Sequence, residues 1–197
     1  MRPSGGCLDS STALMGLTMP RLSARLVLMG IGMFFLGCTR VPAGLQPVTG
    51  FDSQRYLGKW YEIARLDHSF ERGLTNVTAE YARQTDGGIS VLNRGYDPRA
   101  GKWREARAVA RFKGDPSVGS LRVCFFWPFW GGYHIIALDE KEYRFAMVAG
   151  PSRSYLWVLS REPSLAPPVM ADLVGKAKEW SFAVEKLVPV EHRPPGE

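Results

Sequence analysis

Gly58-Lys59-Trp60-Tyr61-Glu62-Ile63-Ala64-Arg65 is the stretch that decides the fold of this chain, because its Gly-x-Trp opens the first strand after an N-terminal leader. Downstream of it, short runs of alternating apolar and polar residues are punctuated by Gly, Pro and Asp. A period of two bounded by turn residues predicts half-buried strands. The candidates are 58–67, 73–84, 88–97, 102–112, 120–127, 132–139, 143–150 and 154–161. Turns are expected at Thr85-Asp86-Gly87-Gly88, Asp97-Pro98-Arg99-Ala100-Gly101, Gly114-Asp115-Pro116 and Gly150-Pro151-Ser152, where the residue types suit tight reversal. After Pro167-Pro168, Val169, Leu173, Ala177 and Trp180 recur at helical spacing, a stripe suited to packing on an outer wall. Phe182-Ala183-Val184 and Leu187-Val188 offer a short ninth strand. The expected class is all-β: an eight-stranded up-and-down antiparallel barrel, which leaves no open edges, with one C-terminal helix outside.

The opening stretch has company. Tyr56-Leu57 precedes it, Asp67-His68-Ser69-Phe70-Glu71-Arg72-Gly73 follows, and Tyr155-Leu156-Trp157-Val158-Leu159-Ser160-Arg161-Glu162-Pro163 lies near the end. Together these resemble the lipocalins, and among them the bacterial outer-membrane lipoprotein lipocalins, from Phe51 to about Val190. The resemblance implies that Gly58, Trp60 and Arg161 are a structural signature. Trp60 would plug the closed end of the barrel, and Arg161 would lie across its ring, a cation–π contact worth about 0.5–2 kcal/mol. Leu138-Asp139 to Tyr143-Arg144 occupies the place of a second family motif but lacks its usual Thr-Asp-Tyr.

The leader reads as a targeting device. Arg21 and Arg25 precede the uncharged run Leu26–Leu36, which is too short to span a bilayer core of about 30 Å comfortably and suits a signal-peptide core. Gly37 before Cys38 is the arrangement that lipoprotein signal peptidase needs, although Phe35 stands where leucine is usual. Residues 1–37 are therefore expected to be removed, those before Met19 being an upstream extension, and Cys38 to be acylated. Thr39, in place of an aspartate, favours export to the outer membrane, with the domain facing the periplasm. Residues 38–50, containing Pro42, Gly44 and Pro47, read as a tether. The barrel domain is expected over 51–190 and a flexible tail over 191–197.

Removing residues 1–37 takes away Arg2, Arg21, Arg25 and Asp9, so the net charge falls from +6 to +4. The basic residues are dispersed, and no block of them suggests nucleic acid. Cys124 is the one thiol left in the mature domain besides Cys38, so an internal disulfide is not expected. His68, His134 and His192 are scattered, and neither a metal site nor a cofactor is implied.

Strand 102–112 declares its own orientation: Arg107, Val109 and Arg111 alternate with Ala106, Ala108, Ala110 and Phe112. Arginines belong outside in a water-facing barrel, so the inner wall is largely methyl groups, which favours a cavity. Val77, Ala79, Tyr81, Val91, Asn93, Ala106, Ala108, Phe112, Ile136, Val148 and Trp157 are the expected cavity residues. His134 joins them on the resemblance alone. Tyr81, Asn93 and His134 would supply the polar groups that orient an apolar ligand. If Trp60 marks the closed end, the run Phe125-Phe126-Trp127-Pro128-Phe129-Trp130-Gly131-Gly132-Tyr133 brackets the mouth, where it suits a ligand entrance, a partner or dimer surface, or membrane lipid equally.

The resemblance implies a binder of fatty acids or lysophospholipids that stores or transports lipid for membrane maintenance, including under stress. Arg99 and Lys102 near the mouth would meet a phosphate or carboxylate. A homodimer is implied by resemblance alone. Two other readings stand beside it: an enzyme on this fold, for which Cys124 is the available thiol although its alternation points it outward, and an interaction protein with a filled barrel. The expectation is a non-enzyme.

Overall fold

The computed structural model describes residues 39–193; residues 1–38, where the signal segment and the acylated Cys38 are expected, and residues 194–197 lie outside them. A short helix α1 (Ser53–Tyr56), capped by the Asp52 side chain on the Gln54 amide, leads into the barrel. Eight strands follow: β1 (Gly58–Leu66), β2 (Thr75–Arg83), β3 (Ile89–Asp97), β4 (Lys102–Phe112), β5 (Ser120–Phe126), β6 (Phe129–Leu138), β7 (Phe145–Ala149) and β8 (Leu156–Ser160). Each pairs antiparallel with the next, and β1 closes the cylinder by bonding both β8 and β2. The expected eight-stranded barrel is what forms. Helix α2 (Pro167–Glu179) starts two residues earlier than its apolar stripe, with proline at the N-terminal position where its missing N–H costs nothing. A ninth strand, β9 (Leu187–Pro189), pairs with the upper half of β1.

Two apolar layers result. Inside, Trp60, Tyr81, Val91, Ala108, Ala110, Leu121, Ile135 and Val148 share one buried cluster. Outside, Ile136, Met147, Ala149, Leu156 and Val158 are covered by Leu173 and Ala177 of α2. Alternation along each strand assigns residues to one layer or the other, and register shifts interrupt it in β1, β2, β5 and β6. Two bear on the facing of site residues: one between Glu62 and Ala64 on β1, the other between Ile135 and Ala137 on β6. A bulge inserts one residue and reverses the facing of everything beyond it.

Residues 39–50 are not a spacer, contrary to the expectation from their prolines and glycine. Leu45 is buried in the outer cluster, and the Val48 amide donates to the Ile135 carbonyl at 2.9 Å while its own carbonyl accepts from Gly119 at 2.8 Å. Thr49 bridges Val118, and Arg153 Nη2 donates to the Ala43 carbonyl at 2.7 Å. The segment is a strap laid on the outer wall. Gly119 makes room for it, since a Cβ there would lie 2.8 Å from Val48 Cγ2. Gly119→Val is expected to destabilise the barrel by about 1–3 kcal/mol through overpacking. Limited proteolysis should then cut within 39–50, which stays resistant in the parent.

Candidate ligand cavity

The floor is built first. Trp60 is fully buried, its Nε1 donating to the Tyr56 carbonyl at 2.8 Å and its ring 4.7 Å from that of Tyr56. The Arg161 guanidinium lies 4.0 Å from the Trp60 ring centre. Arg161 also donates to the carbonyls of Arg55 at 2.6 Å, Lys59 at 2.9 Å and Tyr143 at 3.3 Å, tying α1, β1 and the β6–β7 connection together. Above them the Tyr133 hydroxyl stands 2.8 Å from both the Tyr56 and Tyr81 hydroxyls. Burial raises the pKa of all three phenols, so they remain protonated.

Over this floor lies a cavity of about 390 Å³. Val77, Ala79, Tyr81, Val91, Asn93, Val148 and Trp157 line it, together with Thr78, Val123, Tyr133 and Leu159. Phe70, Phe125, Phe126, Phe129, Pro151 and Tyr155 surround its upper part. These come from the turns after β1, β5 and β7, so the opening lies opposite the Trp60 floor.

Five expected cavity residues lie elsewhere. His134 and Ile136 face the outer layer, because the inward positions on β6 belong to Tyr133 and Ile135. Ile136 packs in the outer cluster with Leu173. His134 is fully buried beneath the strap, its Nδ1 3.0 Å from Ser120 Oγ and its Nε2 3.1 Å from the Arg40 carbonyl. Burial and nearby Lys113 lower its pKa to about 4, so it is neutral and structural. Ala106, Ala108 and Phe112 share the inward parity of β4 but do not line the cavity. Ala108 fills the interior cluster, Phe112 packs against that cluster, and Ala106, across from Asn93, is exposed. Arg99 and Lys102 stand at the mouth end, in the β3–β4 turn and the start of β4, and contact no part of the cavity.

A charged cluster in the wall was not anticipated. Glu62 lines the cavity and accepts from Arg65 Nη1 at 2.7 Å; Arg65 Nη2 donates to the Glu71 carbonyl at 2.7 Å. The Glu71 carboxylate accepts from Trp157 Nε1 at 3.0 Å. All three charged side chains are buried. The β1 bulge makes this possible, since strict alternation would put Glu62 and Arg65 on opposite faces. Burial, then the Glu71 charge, raises the Glu62 pKa to about 8 against the pull of Arg65. Glu71 is raised too, mainly by burial. One guanidinium serves two carboxylates, so the cluster holds a proton more tightly than a surface pair does. Asn93 Oδ1 and Arg65 Nε are buried without a hydrogen-bond partner.

A closed barrel with a plugged floor, an open rim and an apolar interior defines a cup. The profile of the family described as "Lipocalin-like domain" matches residues 51–192, and the chain belongs to that family. It is 51% identical over 150 residues to "Outer membrane lipoprotein Blc" of Citrobacter freundii, covering 76% of this chain and 84% of that one. It is 32% identical to "Temperature-induced lipocalin-1" of Arabidopsis thaliana, covering 77% and 86%. Among solved structures, the cockroach allergen Per a 4 superposes with a TM-score of 0.61 at 18% identity, covering 80% and 96% of the two chains. Insecticyanin from Manduca sexta gives 0.60 at 18% identity, over 79% and 88%. These two likenesses are of fold.

Proposed function

We propose that this protein is a lipid-anchored lipocalin of the outer membrane, facing the periplasm, that takes a fatty acid or lysophospholipid non-covalently into its barrel to store or move lipid for membrane maintenance. The printed name of the Citrobacter freundii relative supports the location. The observation that carries the ligand class is the cavity: about 390 Å³, within the range of small-molecule sites, and walled mainly by Val, Ala, Leu, Phe and Trp side chains. Each buried methylene contributes about 0.8 kcal/mol, so a chain of roughly twelve carbons offsets the ordering cost of binding. The Asn93 oxygen without a protein partner offers an acceptor to a head-group hydroxyl or N–H. A lipid-binding cup accounts for this interior better than an enzyme does, because Cys124 pairs with the outward Val109 and does not line the cavity.

Native mass spectrometry of the chain from Thr39 onward, purified without detergent, tests the reading. A stoichiometric acyl lipid released on denaturation is the expected result; an empty barrel that also refuses added acyl chains would overturn it. Ala79→Trp, which puts an indole into the cavity, is expected to weaken acyl-chain uptake by at least about tenfold while leaving the barrel folded by circular dichroism.

A further inference from the structure

Phe126, Trp127 and Phe129 at the tip of the β5–β6 hairpin are 79%, 84% and 62% exposed, and Phe70 across the mouth is 61% exposed. Clustered aromatic exposure of this kind marks a surface that meets something other than water. What it meets is indicated by where the described chain begins. His134 Nε2 bonds the Arg40 carbonyl, and a Cβ on Gly132 would lie 3.4 Å from the Thr39 carbonyl carbon. Followed towards the N-terminus, the strap therefore steps up β6 from His134 to Gly132, in the direction of the aromatic tip. Gly132 is three residues from Phe129, about 10 Å along a strand. Cys38 is the next residue, one peptide unit of about 3.8 Å away. Because the strap is packed down as far as Thr39, an acyl group carried on the next residue would have only a short reach from this hairpin.

The charge around that exit fits the same occupant. Lys113 Nζ donates to the Thr39 carbonyl. Arg122 pairs with Gly132 across β5–β6 and lies 4.5 Å from the Trp130 ring centre. Arg40 is exposed on the strap itself. Burial, then the charges of Arg122 and Arg40, lower the Lys113 pKa. Three cations around the Thr39 end of the strap, one of them against the half-buried Trp130 at the base of the aromatic tip, match the head-group layer of an anionic bilayer, where indole rings sit at the interface and basic residues meet phosphates.

We infer that the protein docks mouth-down on the membrane, with the Trp127 tip inserted into the leaflet that holds the Cys38 acyl chains and Arg40, Lys113 and Arg122 on its phosphates, so that the cavity opens onto lipid. The inference rests on the lipid-anchored reading above. It gives the aromatic collar a purpose beyond lining the entrance: an acyl chain passes between bilayer and barrel without crossing water.

The test uses the acylated full-length product, reconstituted into vesicles of phosphatidylethanolamine and phosphatidylglycerol with acyl-brominated lipids. Mass measurement of the protein first establishes diacylglyceryl modification of Cys38; its absence would sink the anchoring reading on which the inference rests. Brominated chains are expected to quench tryptophan emission, and Trp127→Phe to lose most of that quenching. Trp127→Ser in the chain from Thr39 onward, which carries the whole described barrel, should bind the same vesicles at least about tenfold more weakly. Binding of both forms should weaken with added salt. Equal quenching in Trp127→Phe, or free access of aqueous iodide to Trp127, would overturn mouth-down docking. So would a Trp127 hidden from both quenchers in cross-linked pairs, which would make the collar a contact between copies. Uptake of a spin-labelled fatty acid by the same proteins reports on the cavity separately: Trp127 does not line it, so uptake should survive Trp127→Phe, and its absence with quenching intact would remove the ligand reading while leaving the docking.

Discussion

Replacing Arg65 with alanine is expected to destabilise the barrel by about 3–5 kcal/mol above pH 8, where the parent's buried Glu62 is ionised and loses its cation. Arg65 is 1% exposed and is the counter-charge for Glu62 and Glu71, which are 4% and 8% exposed. Stabilities of whole domains run to about 5–15 kcal/mol, so this one side chain commands a large share. The loss should depend on pH. In the parent, the folded Glu62 pKa of about 8 lies above the unfolded carboxylate value. The native state therefore holds a proton that the unfolded chain releases, and stability falls as pH rises from about 4.5 to 8. Glu62→Gln should flatten that slope. In Arg65→Ala the deficit should be larger at pH 8, where Glu62 ionises in the parent and draws on Arg65, than at pH 5, where Glu62 is neutral. Urea melts of the three proteins at both pH values measure this. A deficit that is small and the same at both would mean that the cluster is solvated and not a buried charge network.

The same cluster shows where the sequence stops being legible. β4 announces its facing because Arg107 and Arg111 alternate with alanines, and nothing interrupts the pleat there. Most of the expected wall on β2, β3 and β8 follows for the same reason, through Val77, Ala79, Tyr81, Val91, Asn93 and Trp157. β1 and β6 each contain a bulge, and a bulge leaves no mark in a polar–apolar pattern. Arg65 therefore reads as an outward surface residue and Ile136 as an inward one, whereas His134, which precedes the β6 bulge, is placed inward by the resemblance and not by the pattern. The strap is hidden differently. Pro42, Gly44 and Pro47 are linker residues by composition, yet Leu45 between them and Val48 just after them are the apolar pins that hold the segment down, Leu45 in the outer cluster and Val48 against the inner one. Gly132 within β6 and Gly119 directly before β5 were the available signal that another piece of backbone passes close by. The place of Phe125 and Phe129 at the mouth was readable because the turns after odd-numbered strands lie opposite Trp60; Phe70, separated from them by three turns in the chain, joins them there in the structure.

Trp60→Ala should remove about 3–5 kcal/mol, the usual range for deleting a buried large aromatic side chain. The indole is fully buried in the inner cluster, tilted against the Tyr56 ring and covered by Arg161. The deletion opens a void under the tyrosines of the floor, and Arg161 limits how far it collapses because three carbonyls hold the guanidinium in place. Trp60→Phe keeps a ring there and should cost less. A double-mutant cycle with Arg161→Ala isolates the cation–π part, for which a coupling of about 0.5–2 kcal/mol is expected. Binding supplies the contrast that separates a plug from a ligand contact. Trp60 does not line the main cavity, so Trp60→Phe should retain acyl-chain uptake per folded molecule while its urea midpoint falls, whereas Ala79→Trp should do the reverse. A Trp60→Phe barrel that is as stable as the parent but binds acyl chains poorly would mean that the floor itself touches the ligand.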